Sequence, residues 1–474
     1  MITDKLFIGN QWVASATPGS IPVVNATTED IMASVPVGDA ADVDRAVAAA
    51  RAAFDTWSAM APESRAALIG KVADGLEARA DEIAQVITGE TGMPIRLSSR
   101  IQVAAPIAAW RAYADMASRA PALERIGHSV VEYVPVGVIG CITPWNYPLH
   151  QVTGKVAAAL AAGCTVVLKP SEIAPLSAHI LTEVIAQSGL PAGVFNLVSG
   201  GGAVGAALVS HPDVDMISFT GSTATGRAIA ACAAETVKRV ALELGGKSAA
   251  IVLDDADLAL AVKAAVGSCF LNSGQTCSAM TRLLVPRELL QEAVSLAVKA
   301  TEGYRPGDPL DPTTRLGPLA SAVQRDRVRG FIDAGIRDGA AVAAGGTATP
   351  MGLTKGFFVK PTILTGVDPR STVAQEEIFG PVLCIIAYEG EDEAVSIANG
   401  VRYGLAAAVW AGSDERALRV ARRLRAGQVD VNGAPFNLAA PFGGFGQSGI
   451  GRENGRFGLE AFLEIRSVQL PQRS

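Results

Sequence analysis

The chain is poor in aromatic residues, at 5% of its 474 positions, and poor in charge, with Asp, Glu, Lys and Arg together at 18%. Its four histidines are scattered, and its six cysteines form no CxxC pair and no regular spacing, which leaves neither a zinc-ligand pattern nor a disulfide framework. Unpaired thiols in a chain of this size fit a reducing, cytoplasmic compartment. The first residues carry no basic stretch followed by an apolar one, so no signal peptide is expected. The longest apolar run, 156–168, is too short to span a bilayer and is interrupted by Gly163. A net charge of −6 argues against nucleic acid or an anionic membrane as the main partner. What the chain does contain is 49% apolar residues and 49 glycines. That supports a large core without disulfides or metal, with close-packed helices and tight turns as in α/β enzymes. The length calls for two or three lobes.

Residues 6–13 and 21–24 read as short strands, and 42–57, 62–89 and 95–117 as helices with one apolar face. The weak alternation at 128–134 predicts a strand closed by Pro135. From 137 onward strands and helices alternate: strands at 137–142, 165–168, 194–198 and 215–219, with helices at 149–162, 177–188 and 205–210 between them. This rhythm predicts a parallel sheet with right-handed crossovers, as in nucleotide-binding lobes. A second α/β series covers about 248–440, and 462–468 is a strand that could pair with 128–134 or with another subunit.

Two glycine patterns compete for a dinucleotide. Residues 200–205 satisfy G-x-G-x-x-G between a strand and a helix, but no acidic residue follows about twenty positions on, where a ribose contact belongs. Gly221 and Gly226 also join a strand to a helix, where backbone N–H groups with Ser222 and Thr223 could meet a phosphate. Lys169 and Glu172 end a strand at the edge where open α/β sheets bind ligands, and could hold ribose hydroxyls or form a solvated ion pair.

Four further segments carry candidate chemistry. Cys277 follows a Gly-bearing turn after the helical run 258–271, with room for a substrate to approach, although a lone cysteine is more often core filler. Asn146 lies between two prolines after a buried strand and could donate to an oxyanion, or simply form a turn. Glu243 precedes two glycines at a strand end, suiting a general base acting through water or an ordinary exposed Glu. Glu376 and Glu377 precede Phe379 and a Gly-Pro turn, where a carboxylate could meet a sugar hydroxyl.

Together these segments resemble the aldehyde dehydrogenase superfamily over essentially the whole chain. The matching strings are Phe-Ile-Gly-Asn-Gln-Trp at 7–12, Thr-Pro-Trp-Asn-Tyr-Pro at 143–148, Lys-Pro-Ser-Glu at 169–172 and Phe-Thr-Gly-Ser at 219–222. Glu-Leu-Gly-Gly-Lys-Ser at 243–248, Gly-Gln-Thr-Cys at 274–277, Glu-Glu-Ile-Phe-Gly-Pro-Val at 376–382 and Pro-Phe-Gly-Gly-Phe at 441–445 complete the ordered set. The resemblance implies two Rossmann-like α/β lobes plus a small β oligomerisation flap. The cofactor lobe would take 1–116 and 136–245, the catalytic lobe 246–448, and the flap 117–135 and 449–474.

It also implies roles. Cys277 would be the nucleophile, Asn146 with the Cys277 backbone N–H the oxyanion hole, and Glu243 the general base. Lys169 and Glu172 would bind the adenosine ribose, the glutamate favouring NAD without excluding NADP. Gly221, Ser222 and Gly226 would form the phosphate turn beside Trp145, which leaves 200–205 as a strand–helix connection. Glu377 and Phe379 would contact the nicotinamide ribose, and Lys155 with Glu464 could form a proton relay. No metal is required.

The chain departs from the family at Gly446, where a lysine is common, and at Gly154, where several members carry a bulky aromatic. With Tyr147, Phe436 and Phe442 as walls, the expected tunnel is apolar with a wide waist. It would suit medium, branched or aromatic aldehydes. Relatives form homodimers or homotetramers through strands like 128–134 and 462–468. Two other reactions compete: a CoA-acylating semialdehyde dehydrogenase, which typically lacks the glutamate at Glu243, and a Cys–His hydrolase or acyltransferase, for which no histidine sits in a pairing motif.

Overall fold

The computed structural model describes residues 1, 3–119 and 123–471; the parts of the expected flap at 120–122 and 472–474 lie outside them. Two sheets carry the fold. In the first, parallel strands Arg239–Glu243, Met216–Thr220, Val138–Ile142, Thr165–Lys169 and Phe195–Leu197 lie side by side in that order. Gly449–Ile450 and the hairpin Leu6–Ile8/Gln11–Val13 add antiparallel strands at the two edges. The chain runs outward from Val138–Ile142 in one direction, then returns to place Met216–Thr220 on its other side. That reversal opens a crevice beyond the strands' C-terminal ends, the usual ligand position in such sheets.

The central strands are buried along their whole length, as their mostly apolar sequences, Val-Ile-Gly-Cys-Ile, Thr-Val-Val-Leu-Lys and Met-Ile-Ser-Phe-Thr, suit when helices cover both faces. Helix Pro148–Ala162 shows how the local sequence does this. Proline opens it, Gly163 closes it at φ +94°, and alanines at 157–159, 161 and 162 let it press against the sheet. Trp57 and Trp110 are fully enclosed in the same core, and Trp110 Nε1 donates to Thr153 Oγ1 at 3.1 Å.

The second sheet has seven strands in the order Ala341–Ala344, Thr362–Thr365, Val382–Tyr388, Arg282–Pro286, Ala249–Val252, Ala406–Trp410 and Gln428–Val431. All its pairs are parallel except the first. Residues 244–248 join Glu243, at the C-terminal end of one sheet, to Ala249, at the N-terminal end of the other. A third sheet pairs Leu463–Gln469 with Ser129–Pro135 within the chain, and the latter with Glu124–Ile126. Gly449–Ile450 belongs instead to the first sheet.

Three elements differ in detail from expectation. The helix read over 62–89 is two, Pro62–Ala78 and Ala80–Thr91, broken at Arg79. Arg79 leaves helical geometry while its guanidinium bonds Glu82 at 2.7 Å and Glu183 at 2.6 Å. The helix read over 95–117 contains a π-helical stretch, Ser98–Ala104, just before Pro106, which has no N–H to give to the preceding turn. The strand read at 194–198 shrinks to three residues. Among the described residues no helix is long and apolar enough to cross a membrane, and no three His, Cys, Asp or Glu side chains are placed to hold a metal.

Candidate active site

The crevice at the strand reversal is a cleft of about 650 Å³. Trp145 and Asn146 enter it from the loop after Val138–Ile142, Gly221 and Ser222 from the turn after Met216–Thr220, and Cys277, Glu377 and Phe379 from the other lobe. Register explains the convergence: Thr220 pairs with Glu243 and Ile142 with Lys169, so these positions share one C-terminal edge. Residues 200–205 do not line the cleft.

Cys277 is presented by a strained turn. Asn272, Ser273 and Gly274 have φ of +51°, +56° and +76°, three left-handed residues in succession. Gly274 is obligatory, because a Cβ there would lie 2.1 Å from the Gly380 carbonyl. Side chains lock the turn: Ser273 Oγ donates to Gly317 O at 2.8 Å and Gln275 Nε2 to Asn272 O at 3.2 Å. Thr276 Oγ1 shares a 2.6 Å hydrogen bond with the Tyr147 hydroxyl. Cys277 keeps some exposed surface towards the cleft. Burial pushes its thiol up to about 12, and the carboxylates of Glu377 and Glu243 push the same way. Carboxylates, not an imidazole, are therefore the titratable groups facing the sulfur.

Asn146 is buried, and its Nδ2 donates to Gln275 O at 3.0 Å, which fixes the amide and leaves its second N–H unused. Its backbone oxygen accepts from Asn272 Nδ2 at 2.9 Å, tying the two loops together. Glu243 is buried, and neither carboxylate oxygen has a hydrogen-bond partner. Burial holds its carboxyl well above the ordinary range, reinforced by Glu453 and opposed by Lys155 and Arg452. An enclosed, unpartnered carboxyl is costly to fold around and is the kind of group kept for chemistry.

Lys155 is completely enclosed and forms an ion pair with Glu453. The expected pairing with Glu464 does not form. Glu464 is half exposed on the C-terminal strand, 3.0 Å from Arg239. Glu464 was expected there from the family resemblance, whereas Glu453 sits in an irregular segment marked by its backbone pairing with Phe442.

At the other end of the cleft, Glu377 Oε1 accepts from Gly246 N at 3.1 Å, and burial pushes its carboxyl up to about 7. Gly245 makes this possible, since a Cβ there would lie 2.2 Å from Glu377 Oε2. Phe379 is held at φ +61° with its ring edge-on to Trp145 at 5.5 Å. Ser222 is exposed and caps helix Thr223–Ala234 by accepting from Thr225 N at 3.2 Å. Gly226 lets that helix approach Leu244, which a Cβ would meet at 2.4 Å. Lys169 Nζ lies 3.1 Å from Glu172 Oε2 one strand further along. Tyr147 is buried, Gly154 borders a separate cavity, and the half-exposed Phe436 packs edge-on against Phe442 at 5.9 Å.

A switch-point cleft lined by a thiol and an oriented amide, with an enclosed carboxyl whose charge acts on that thiol, defines a doubly wound α/β protein with a ligand site at its strand ends. Comparison specifies which: the chain belongs to the aldehyde dehydrogenase family, whose pattern matches residues 12–468. It is 48% identical over 471 residues to a 3-succinoylsemialdehyde-pyridine dehydrogenase from a Pseudomonas species, covering 98% of each chain. It is 43% identical to geranial dehydrogenase of Castellaniella defragrans, again over 98% of each. Among solved structures, a cysteine-to-alanine mutant of aldehyde dehydrogenase C from Pseudomonas syringae, in complex with NAD+ and octanal, superposes with a TM-score of 0.98. It shares 47% identity over 100% of this chain and 98% of that one. A Mycobacterium tuberculosis aldehyde dehydrogenase complexed with NAD+ gives a TM-score of 0.96 at 44% identity, covering 99% and 98%.

Proposed function

We propose that the chain oxidises an aldehyde to the carboxylic acid with NAD, through a covalent intermediate on Cys277. The observation that carries this is Glu243: a buried carboxyl with no hydrogen-bond partner among the described residues, whose charge acts on the Cys277 thiol, beside the cleft that Cys277 and Asn146 line. The cleft fits a dinucleotide. Ser222 stands at the N-terminus of a twelve-residue helix, Lys169 and Glu172 follow along the same C-terminal strand edge, and Gly245 leaves space for Glu377 on the cleft wall. Lys169 and Glu172 would hold the adenosine ribose, and Glu172 would oppose a ribose phosphate and so favour NAD over NADP. Glu377 and Phe379 would hold the nicotinamide ribose.

Cys277 gives its thiol proton to solvent at the cleft and, as the thiolate, adds to the aldehyde carbon; the carbonyl electron pair moves to oxygen, and that oxyanion is held by the free Asn146 N–H and the Cys277 backbone N–H. When NAD is bound, its oxidised nicotinamide brings a positive charge and a hydride acceptor to the cleft. The thioester left on Cys277 is attacked by water, from which Glu243 takes a proton; the C–S bond breaks and the acid leaves. Glu243 then loses its proton towards the Lys155–Glu453 pair, which takes the place foreseen for Lys155 and Glu464.

Tyr147, Gly154, Phe436 and Phe442 frame the aldehyde's path, and the small Gly154 suits medium, branched or aromatic aldehydes. Segments 117–135 and 449–474 serve assembly into a dimer or tetramer, supported by exposed Ile126 and Ile465 on the small third sheet. The free cysteines suit a reducing cytoplasm. Formation of reduced nicotinamide across an aldehyde panel, with Cys277→Ala as control, tests the proposal. Full activity in that variant would overturn it, and acyl-CoA formation on adding CoA would replace water as the acceptor.

A further inference from the structure

Beyond Gly154 lies a second cavity of about 750 Å³. Its apolar lining is made of small or flexible side chains: Ala108, Ala109, Ala112, Met116, Leu438 and Ala439. Tyr147 stands between it and the reacting centre, its ring 6.4 Å from the His150 ring and its hydroxyl bonded to Thr276, the neighbour of Cys277. Gly154 lies between this space and Glu453, whose Oε2 would be 3.5 Å from a Cβ at that position.

The polar groups at this cavity are few. Thr153 is already used by Trp110, and the Tyr113 hydroxyl is fully enclosed behind the wall. Two remain available: the His150 imidazole, half-buried and with no hydrogen bond to its ring among the described residues, and the side-chain amide of Asn454. Burial pushes the His150 imidazole below its ordinary value, only partly opposed by Glu453. It is thus neutral, with one donor and one acceptor nitrogen. Among the described residues no charged side chain lines the cavity, and the Glu453 carboxylate that faces Gly154 is already paired with Lys155.

We infer that this cavity receives the tail of the aldehyde and selects an uncharged tail bearing a hydrogen-bonding group, such as a ketone, hydroxyl or nitrogen heterocycle, over a tail ending in a carboxylate. His150 and Asn454 read the polar group; the alanines and Gly154 provide width for a ring or branch. A carboxylate would enter an apolar space whose lining offers no cation, the Lys155 ammonium behind Gly154 being already engaged by Glu453, which is the costly case. The inference rests on the reading of Cys277 as nucleophile.

Three aldehydes of matched length test it: a plain alkyl chain, the same chain with a ketone near its far end, and one ending in a carboxylate. The ketone should exceed the alkyl chain in kcat/KM by about threefold to tenfold, as one net hydrogen bond allows. The carboxylate should fall at least about a hundredfold below the alkyl chain. His150→Leu should bring the ketone-to-alkyl ratio to about one while alkyl turnover persists, and His150→Asn should restore part of it. Gly154→Trp should lower kcat/KM for all three tails far more than for propanal. A carboxylate tail accepted as well as the alkyl one, or a ratio unmoved in His150→Leu, overturns the inference. Failure to oxidise any aldehyde would instead sink the proposed function, so the two failures are distinguishable, and the wild-type series stands even if a variant does not fold.

Discussion

Replacing Glu243 by Gln separates the two halves of the proposed reaction. The substitution keeps the shape of a side chain that is enclosed and unpartnered, but removes the site that accepts a proton from water. General-base assistance is typically worth about 10²–10⁴-fold, so steady-state turnover should fall by that factor, about 3–5 kcal/mol of barrier. The steps before hydrolysis do not use Glu243. Rapid mixing should therefore still show a burst of reduced nicotinamide approaching one per active site, followed by the slow phase. A second readout comes from stability. In the folded chain burial holds the Glu243 carboxyl protonated well above its ordinary 4.5, whereas the unfolded chain releases that proton near 4.5. The contribution is fully present below that value and is lost as pH rises through the folded value. Between about pH 5 and about pH 8 the wild type should lose more stability than Glu243→Gln in urea unfolding, since Glu377 and Glu90 titrate alike in both. A variant that loses burst and turnover together would refute the assignment of Glu243 to hydrolysis. So would unchanged turnover.

Gly245→Ala should displace the Glu377 carboxylate, because the added Cβ would lie 2.2 Å from it; the Km for NAD should rise while cofactor-independent alkylation of Cys277 stays unchanged. Lys155→Met leaves Glu453 as an unpaired carboxylate in the interior, at a cost of about 3–5 kcal/mol in chemical denaturation. Glu464→Gln, which weakens only the exposed pair with Arg239, should cost less than about 1 kcal/mol, and equal losses would contradict the placement of the buried pair. Glu172→Gln should raise the NADP-to-NAD ratio of kcat/KM by about tenfold, and an unchanged ratio would remove Glu172 from cofactor choice.

The strands of the first lobe were legible because buried parallel strands write themselves as short Val, Ile and Leu runs between glycine and proline punctuation; Val138–Ile142 and Thr165–Lys169 fall where 137–142 and 165–168 were read. The breaks at Arg79 and before Pro106 were less legible. The first depends on Glu183, about a hundred residues away, and the second on how a helix absorbs one missing donor. Gly221, Asn146, Glu243 and Cys277 stood in motifs, and sheet register brings the first three onto one side of the cleft opposite the fourth. Glu453 stood in none. Its place beside Lys155 is set by the Phe442–Glu453 bridge, a contact between irregular segments that leaves no periodic trace.

The same distinction separates what is fixed about the chemistry from what is variable about the substrate. Residues close to the reacting carbon are held by backbone geometry that tolerates little change: three left-handed residues before Cys277, a glycine against Gly380, a glycine against Glu377. Such positions admit few amino acids, and so appear as dense strings such as Gly-Gln-Thr-Cys. The cavity beyond Gly154 is lined by residues from helix Ala105–Ala117, helix Pro148–Ala162 and the loop at 438–455, each contributing one face of an otherwise ordinary element. Alanine on a helix face is equally suited to packing and to leaving room for a ligand, and the sequence does not distinguish the two uses. Only the absence of an opposing side chain does, and that is a property of three segments at once. If the aldehyde's tail enters this cavity, as we infer, the His150 imidazole and the Gly154 gap set substrate choice from outside the motifs, while the motifs specify a reaction indifferent to the tail.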